Sequence, residues 1–354
     1  MSSTKRIFKS HLYEMAAYDP PLSGRSVDEH LLLDFNERTL PVSDAVVDAL
    51  VAYCRSGALQ KYPDYGDIVA RVAHYVGVAP DQLMICNGSD QGIDVIIRAC
   101  LDAGDEAIIP GPSFAMYHQC AGVQNARILE PGYSIEGGYP TQEVLDTIGP
   151  RTRLVVVPLP NNPSGTPIDL ADLERIAQHA PDAVILVDEC YYEYTGLSAV
   201  GLIERYPNLV ITRTFSKTWG MPSLRFGFVV SQAFNIDQLI KIRGPYDVNQ
   251  LAVVAAGAAL AEPDYTRSYV REVMSEAKPR LEGWLRQQGW EFWPSVANYL
   301  WVFPEHAEQV AAALTRANIL IRPKRDEAGR LGLRITIGTS AQTERLIEVL
   351  ASTR

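Results

Sequence analysis

The sequence lacks an excess of basic residues. Lys and Arg number 32 against 42 Asp and Glu, so the formal net charge is −10 at pH 7. Because binding to a phosphate backbone requires a basic surface, this balance argues against a nucleic-acid partner. No apolar run is long enough to span a bilayer, so we expect no membrane partner. Residues 1–15 are basic but have no continuous apolar stretch, which argues against a secretory signal.

Cysteine is scarce as well. The chain has five cysteines, and no two of them have the CxxC spacing that is typical of zinc sites. An odd and dispersed set is typical of reduced thiols in a cytosolic enzyme. We therefore predict a cytoplasmic protein with neither a disulfide framework nor a metal site. The cysteines are Cys54, Cys86, Cys100, Cys120 and Cys190.

The pattern of apolar residues predicts two domains. With 354 residues and 47% hydrophobic content, the chain can bury a large core. From about residue 81 to 244, short apolar strands alternate with helices, which predicts an α/β domain with a mostly parallel sheet and helices on both faces. After about residue 262, a long helix and short strands predict a smaller α+β domain. The predicted division is an N-terminal arm of residues 1–35, a small domain of residues 36–60 and 250–354, and a large domain of residues 61–249.

Polar residues follow three of the predicted strands. The apolar runs 154–157, 183–187 and 209–211 are followed by Asn162, Asp188 and Lys217, respectively. In an open parallel sheet, the carboxyl ends of the strands share one edge, and that edge holds the ligand crevice. We therefore expect an amide, a carboxylate and an amine to converge there.

A candidate anion site lies at residues 88–90, between a predicted strand and a predicted helix. The free amides at a helix start can bind a phosphate group. The alternative is that Ser89 or Asp90 only caps the helix. The spacing is not GxGxxG, so a dinucleotide is not the first choice. Hydroxyls and a positive charge suited to the same anion come from Thr214, Ser216 and Arg225.

Asp188 ends a buried run and therefore needs a cationic partner or hydrogen bonds. A protonated pyridine nitrogen is one such partner, and its protonation makes the ring an electron sink. A structural ion pair with Arg213 is the alternative. Asn162 and Tyr191 could donate hydrogen bonds to a ring oxygen. Phe114 could lie on the ring face, although a phenylalanine buried in the core would look the same in the sequence.

Lys217 completes this set. Burial and a nearby positive charge make an amine less basic, which allows it to form a Schiff base at neutral pH. A lysine, an aspartate for a pyridine nitrogen, a phosphate site and an aromatic ring together describe a site for pyridoxal 5'-phosphate.

Several segments then resemble a known family. They are NNPSG (161–165), DECYYEY (188–194), TFSKTWGMPSLRFGF (214–228), PYDVNQLAVVAA (245–256) and LRITIGT (333–339). Over residues 31–352 the chain resembles the fold-type-I pyridoxal-phosphate-dependent aminotransferases of class I and II, and more narrowly the histidinol-phosphate aminotransferase subgroup. The resemblance implies an enzyme with a large cofactor-binding domain and a small α+β domain.

The resemblance also implies a role for each cofactor residue. Lys217 would hold the cofactor as a Schiff base and move the proton at the substrate α-carbon, with Asp188 and Tyr191 as the other catalytic residues. Tyr62 would reach the phosphate bound by the neighbouring subunit, which implies a homodimer with shared active sites. The remaining cofactor contacts implied by the family are Asn162 and Tyr191 at the ring hydroxyl, Phe114 on the ring face, and Ser89, Asp90, Thr214, Ser216 and Arg225 at the phosphate.

The substrate residues implied by the resemblance are Arg334 for a carboxylate, Arg322, Tyr18 and Tyr246 for a distal phosphate, and Asn36. The segments ERTLP (37–41) and MPSLRFG (221–227) depart from the family pattern, and Trp219 is bulky so close to the lysine. The segment IRPKRDEAG (321–329) is predicted to be a loop, in which Lys324 and Arg325 could hold a phosphate or be solvated. These departures leave the substrate open.

Three functions follow from these observations. The first is an aminotransferase that moves the amino group of L-histidinol phosphate to a 2-oxo acid such as 2-oxoglutarate; a related possibility is an aromatic or other amino-acid donor. The second is a pyridoxal-phosphate-dependent decarboxylase or cyclase on the same scaffold. The third is a non-enzymatic ligand-sensing module of a transcription regulator, which would need a DNA-binding domain ahead of an arm of only about 30 residues.

Overall fold

Two sheets organise the computed structural model, which describes residues 6–353. Residues 1–5 of the predicted arm lie outside this range. A seven-stranded sheet has the order β2-β8-β7-β6-β5-β3-β4, and a five-stranded sheet has the order β1-β11-β12-β10-β9. The strands are β1 (Leu31–Leu33), β2 (Leu83–Asn87), β3 (Glu106–Ile108), β4 (Arg127–Leu129), β5 (Thr152–Pro158), β6 (Val184–Asp188), β7 (Leu209–Thr214), β8 (Phe226–Val230), β9 (Glu291–Phe292), β10 (Tyr299–Phe303), β11 (Ile319–Arg325) and β12 (Leu331–Thr336).

Helices cover both faces of the larger sheet and one side of the smaller one. They are α1 (Asp44–Arg55), α2 (Ile68–Val76), α3 (Gly88–Cys100), α4 (Ala115–Val123), α5 (Thr141–Thr147), α6 (Leu170–His179), α7 (Tyr192–Thr195), α8 (Ala233–Ile240), α9 (Gln250–Ala261), α10 (Pro263–Glu272), α11 (Lys278–Gln287), α12 (Ala307–Arg316) and α13 (Ser340–Ala351). A π-helical turn, Val273–Ala277, joins α10 to α11, so the predicted long helix is continuous but not uniform.

The seven-stranded sheet is mostly parallel, as predicted, and only β8 of its strands runs antiparallel to its neighbours. Along β5, Val155 and Val157 pack into one apolar cluster, whereas Leu154 and Val156 pack into another. Because both faces of these strands are buried, their sequences are continuous apolar runs rather than alternating ones. The carboxyl ends of β5, β6 and β7 therefore lie along one edge.

The packing departs from the predicted domain boundaries in two places. β1, which was assigned to the arm, pairs in parallel with β11 and so belongs to the five-stranded sheet. Helices α1 and α9, which were assigned to the small domain, pack on each other, and Val46 and Val253 join the core of the larger sheet. Apolar residues of both helices join that core, and the next helix, α10, places Tyr269 in the core of the five-stranded sheet. The remainder of the division stays a prediction.

A separate departure, in secondary structure, concerns residues 321–329. The predicted loop is largely strand β11, which pairs antiparallel with β12 and places Arg322 opposite Arg334. Because side chains alternate along a strand, Lys324 lies on the same face of β11 as Arg322. Within residues 6–353, no helix has the length and apolar character needed to cross a membrane.

Candidate active site

A cavity of about 540 Å³ opens at the carboxyl edge of the seven-stranded sheet. Asp188 and Lys217 both line it, as expected for residues that follow parallel strands of one sheet. Most of the predicted site residues share this lining, although their individual roles stay predictions. The predicted residues found there are Tyr18, Ser89, Asp90, Phe114, Asn162, Asp188, Tyr191, Thr214, Ser216, Lys217 and Arg225.

Lys217 follows β7 and points its amine at the segment after β1. Its Nζ donates a hydrogen bond to the backbone oxygen of Phe35 at 2.8 Å. Burial lowers the pKa of Lys217, and the nearby charge of Arg334 lowers it further. The unprotonated amine is the form that attacks a carbonyl carbon. A lowered pKa increases the fraction of that form at neutral pH, so the environment suits the predicted chemistry.

Asp188 is the last residue of β6 and is 3% exposed. Its Oδ2 accepts from the hydroxyl of Tyr117 at 2.6 Å, and its Oδ1 accepts from Thr212 Oγ1 at 3.0 Å. Burial raises the pKa of the Asp188 carboxyl despite these two bonds. The alternative ion pair with Arg213 is not formed, because Arg213 pairs with Glu189 at 2.7 Å. A cationic ring nitrogen is therefore the kind of partner that would compensate Asp188.

Tyr117 and Thr212 are the two contacts of Asp188 that sequence reasoning missed. Tyr117 lies one helical turn after Phe114 on α4, and the bond can be anticipated only once the direction of that helix is known. Thr212 is the register partner of Asp188 between β6 and β7. The contact between Thr212 and Asp188 could be predicted from the sequence only if the register of β6 and β7 were known.

The predicted phosphate site forms at the start of α3. The helix begins at Gly88, and Asn87 before it makes no side-chain cap, so Ser89 and Asp90 lie within the first turn rather than capping it. Gly88 has φ +75°, and a Cβ there would overlap the guanidinium of Arg225. Only glycine therefore permits this close approach, which leaves amides and a guanidinium side by side.

Arg225 and two hydroxyls complete this end of the cavity. Arg225 Nη2 donates to Asp90 Oδ2 at 2.9 Å, and its Nη1 lies 3.4 Å from Ser216 Oγ. The hydroxyl of Thr214 donates to that of Ser216 at 2.9 Å. Amides, hydroxyls and one guanidinium are the donors that a phosphate group requires.

Arg334 and Asn36 orient the residues predicted to bind the ring oxygen. Arg334 is 5% exposed, and its Nη1 donates to Asn162 Oδ1 at 2.6 Å. Asn36 Nδ2 donates to the hydroxyl oxygen of Tyr191 at 2.8 Å. Because both oxygens accept these bonds, Asn162 and Tyr191 keep their own N–H and O–H groups to donate to an oxygen in the cavity. Within residues 6–353, Arg334 Nε has no hydrogen-bond partner.

Two arginines flank the ring of Phe35, which lines the cavity. The guanidinium carbon of Arg25 lies 4.6 Å from the ring centre, and that of Arg322 lies 5.2 Å from it. Arg25 forms ion pairs with Asp34 and Glu37. Arg322 makes no such pair with any carboxylate of residues 6–353. Arg322 thus brings an uncompensated positive charge to the outer part of the site.

Tyr62 and Tyr246 lie outside this cavity. Their rings stack on each other with centres 4.5 Å apart, and they are 78% and 57% exposed. The predicted role of Tyr246 at the distal phosphate stays a prediction, because within one chain its ring packs on Tyr62 and not on the cavity. The predicted role of Tyr62 concerns a neighbouring subunit and stays a prediction.

Comparison with known proteins decides the family. The family model "Aminotransferase class I and II" matches residues 29–350. The chain belongs to this family. A histidinol-phosphate aminotransferase 1 of Trichormus variabilis is 30% identical over 347 residues, which cover 97% of each chain. A histidinol-phosphate aminotransferase 2 of Bacillus cereus is 31% identical over 97% of this chain and 94% of its own.

Solved structures share the fold of this aminotransferase. The histidinol-phosphate aminotransferase of Sinorhizobium meliloti, solved in complex with pyridoxal-5'-phosphate, superposes with a TM-score of 0.85 over 100% of both chains at 23% identity. The L-threonine-O-3-phosphate decarboxylase of Porphyromonas gingivalis gives a TM-score of 0.76 over 91% of this chain and 98% of its own, also at 23% identity. The predicted fold type and the predicted enzyme class, a pyridoxal-phosphate-dependent aminotransferase, are confirmed.

The residues of this aminotransferase fit that cofactor. The start of α3 and Arg225 suit its phosphate, and the buried carboxyl of Asp188 suits a protonated ring nitrogen. The donors left on Asn162 and Tyr191 suit its ring oxygen. Lys217 supplies an amine whose pKa is lowered, as a carbonyl group requires.

Proposed function

We propose that this aminotransferase takes the amino group of L-histidinol phosphate and passes it to a 2-oxo acid such as 2-oxoglutarate. The observation that carries the substrate proposal is the group of cations on one face of the five-stranded sheet. Arg322 and Arg334 oppose each other across β11 and β12. Lys324 lies on the same face, and burial together with these two arginines lowers the pKa of its amine to about 8.

Positive charges placed together cost free energy unless an anion joins them. The donor carries a phosphate group and the 2-oxo acid carries a carboxylate, so each substrate supplies such an anion. Arg334 would hold the carboxylate, and Arg322 the phosphate, with Tyr18 at the cavity wall. The curated relatives named above, which are histidinol-phosphate aminotransferases, support the same donor.

The chain's own residues would then perform the proton transfers. Pyridoxal phosphate, when bound, supplies the electron sink. The amine of Lys217 would leave the oxygen of Phe35, take the proton from the substrate α-carbon and pass it to the cofactor. Asp188 keeps the ring nitrogen protonated, because only a cation compensates its buried charge. Asn162 and Tyr191 hold the ring oxygen with the donors that Arg334 and Asn36 leave them.

We also propose a cytoplasmic homodimer with shared active sites. The exposed pair of Tyr62 and Tyr246 is an aromatic surface suited to a second copy of the chain. Val47 and Val51, four residues apart on α1, are further exposed apolar side chains, at 45% and 40% exposure. All five cysteines are free thiols, which supports a reducing compartment.

A panel of amino donors tests the proposed substrate. Each donor is mixed with the cofactor-loaded enzyme, and the cofactor spectrum is followed through one turnover. We expect stoichiometric conversion to pyridoxamine phosphate with L-histidinol phosphate and slow or no conversion with phenylalanine. A faster conversion with phenylalanine would reject the proposed donor, and Lys217→Ala should show no conversion with any donor.

The same panel, with L-threonine-O-3-phosphate added and carbon dioxide also measured, separates transamination from decarboxylation. An L-threonine-O-3-phosphate decarboxylase has the same fold, so decarboxylation is the alternative reaction to test. A decarboxylase would release carbon dioxide from a phosphorylated amino acid and leave the cofactor in its original form. Release of carbon dioxide without pyridoxamine phosphate would overturn the proposal.

A further inference from the structure

Arg38 is a buried arginine in the segment between β1 and α1. It is 8% exposed, and its guanidinium carbon lies 4.5 Å from the ring centre of Tyr265 and 4.6 Å from that of Tyr269, both on α10. Its Nε and Nη2 have no hydrogen-bond partner within residues 6–353. A buried cation needs compensation, and here the two ring faces provide it. The side chain is therefore fixed to α10 by aromatic contacts.

The remaining nitrogen of Arg38 reaches the backbone beside Lys217. Its Nη1 donates to the oxygen of Thr218 at 3.3 Å and also contacts Thr266 Oγ1 at 3.5 Å. The amide of Gly220 donates to the oxygen of Lys217 at 3.0 Å, which closes a turn. Gly220 has φ +73°, and a Cβ there would lie 2.9 Å from Cδ of Arg38. Arg38 thus packs directly on the turn that carries Lys217.

The same segment is fixed to α10 at two further points. The hydroxyl of Tyr269 accepts from the amide of Thr39 at 3.1 Å, and that of Tyr265 donates to the oxygen of Pro41 at 3.0 Å. The segment also contains Phe35, whose oxygen accepts from the amine of Lys217. Residues 35–41 therefore contact Lys217 through its amine and, by way of Arg38, through the backbone that follows it.

Trp219, which belongs to the same turn, is fixed by contacts that do not involve Arg38. The ring of Trp219 stacks on Phe215 with centres 4.9 Å apart, and its Nε1 donates to Glu193 Oε1 at 2.9 Å. The two residues noted as departures from the family pattern thus both involve this turn: Arg38 in ERTLP packs on it, and the bulky Trp219 belongs to it. Between them they leave the backbone of residues 217–220 little freedom to move.

We propose that Arg38 is a positioning residue for Lys217, which fixes the turn Lys217–Gly220 against α10. Arg38 does not line the cavity, so it acts through the oxygen of Thr218 and not through a substrate. The functional consequence rests on the proposed role of Lys217 as the cofactor-bearing lysine. The structural part of the inference does not, because it concerns only the environment of the amine.

Arg38→Met in the cofactor-free protein tests this inference. Methionine keeps the apolar stem but loses the donor to Thr218, so the turn loosens and water reaches the amine of Lys217. We expect the pH midpoint of Lys217 acylation, followed by mass spectrometry, to rise by about one unit. Cofactor affinity should fall about tenfold, as expected from the loss of one charge-assisted hydrogen bond.

Two other variants make the result decisive. Leu281→Ala opens the core of the small domain without touching the turn, and it should lower the melting temperature but leave the acylation midpoint unchanged. Arg38→Lys keeps the charge and should give an acylation midpoint between those of the wild type and Arg38→Met. This variant also provides the test if Arg38→Met does not fold. Wild-type midpoints in the Arg38 variants, or an equal shift in Leu281→Ala, would overturn the proposal. Because acylation needs no cofactor, this outcome is distinct from failure of the proposed function.

Discussion

The candidate site has an inner half, the cavity residues at the carboxyl edge of the seven-stranded sheet, and an outer half, residues beyond the cavity lining such as Arg322 and Tyr62. The two halves are built in different ways. Asp188 and Thr214 end buried strands, and Lys217 follows three residues after β7, so their neighbours in space are fixed by the sheet. Arg322 lies on the five-stranded sheet, and Tyr62 lies on an exposed segment. The inner half depends on a single sheet, whereas the outer half depends on how separate parts of the protein meet. We expect changes to the inner half to abolish the chemistry and changes to the outer half to alter substrate and cofactor affinity.

The largest expected effect belongs to the inner half. Asp188→Asn should lower activity by at least about a hundredfold, because a neutral amide cannot keep the ring nitrogen protonated. The cofactor-free variant should nevertheless melt at a higher temperature than the wild type. The folded pKa of Asp188 is raised above 3.8, so its ionisation costs stability that increases as pH rises from 3.8 to the folded value. At neutral pH the asparagine removes that cost.

Melting curves of the cofactor-free proteins and steady-state rates of the loaded enzymes measure both effects. Asp182→Asn, at an exposed carboxylate in the turn that precedes the same strand, is the matched control and should change neither quantity. A lower melting temperature for Asp188→Asn would contradict the account of its buried charge.

A smaller effect is expected at the outer half. Arg322→Ala should raise KM for L-histidinol phosphate by about 10- to 100-fold, corresponding to the ~1.5–3 kcal/mol of a charged hydrogen bond. KM for phenylalanine should not change, because that donor has no phosphate. Arg25→Ala is the matched control, since Arg25 flanks the same ring but is already paired with Asp34 and Glu37. Equal losses on both donors would show that Arg322 only packs on Phe35.

Tyr62 tests whether the outer half extends across two subunits. Tyr62→Phe should speed cofactor release by about three- to tenfold, because one hydrogen bond to the phosphate is lost. Hybrid dimers of Tyr62→Phe and Lys217→Ala subunits provide the sharper measurement. In such a hybrid, one of the two sites combines an intact Lys217 with an intact Tyr62 from the partner, so cofactor retention at that site should return to the wild-type value. A monomeric active enzyme, or hybrids without recovery, would contradict shared sites.

The smallest expected effect is the pH dependence of Lys324. With a pKa of about 8, its amine is charged below that pH and neutral above it. KM for L-histidinol phosphate should therefore rise about threefold more in the wild type than in Lys324→Met as the pH increases from 7 to 9, since loss of this one partly buried charge removes only part of the attraction to the phosphate. Identical pH profiles would show that Lys324 is solvated rather than part of the anion site.

The convergence of Asn162, Asp188 and Lys217 at one edge of the sheet was predictable from the sequence for a physical reason. The apolar runs of β5, β6 and β7 are buried on both faces, and the polar residues that follow them must share an edge. The contact of Tyr117 with Asp188 could not be predicted in the same way, because it depends on the orientation of α4. Neither could the position of Tyr246, whose ring packs on an exposed partner rather than on the cavity.

The errors in the outer half have a common origin. Residues 321–325 contain a proline and three basic residues, a composition that favours a loop, yet pairing with β12 makes them a strand. The apolar stripe of α1 and the small apolar residues of α9 are evident in the sequence, but neither pattern says which of two cores will bury the helix. Local patterns predict an element, whereas its neighbours are chosen by tertiary packing.

The reversed direction of β8 has a consequence for how such an enzyme can change. Thr214 pairs with Gly227, and the amide of Phe215 donates to the oxygen of Phe226, so the connection that carries Lys217 and Arg225 is tied at both ends. An insertion or deletion there would shift the amine or the guanidinium out of place. The turn at residues 326–330 has no such double attachment to the catalytic sheet. The length of that turn can therefore change without moving Lys217 or Arg225.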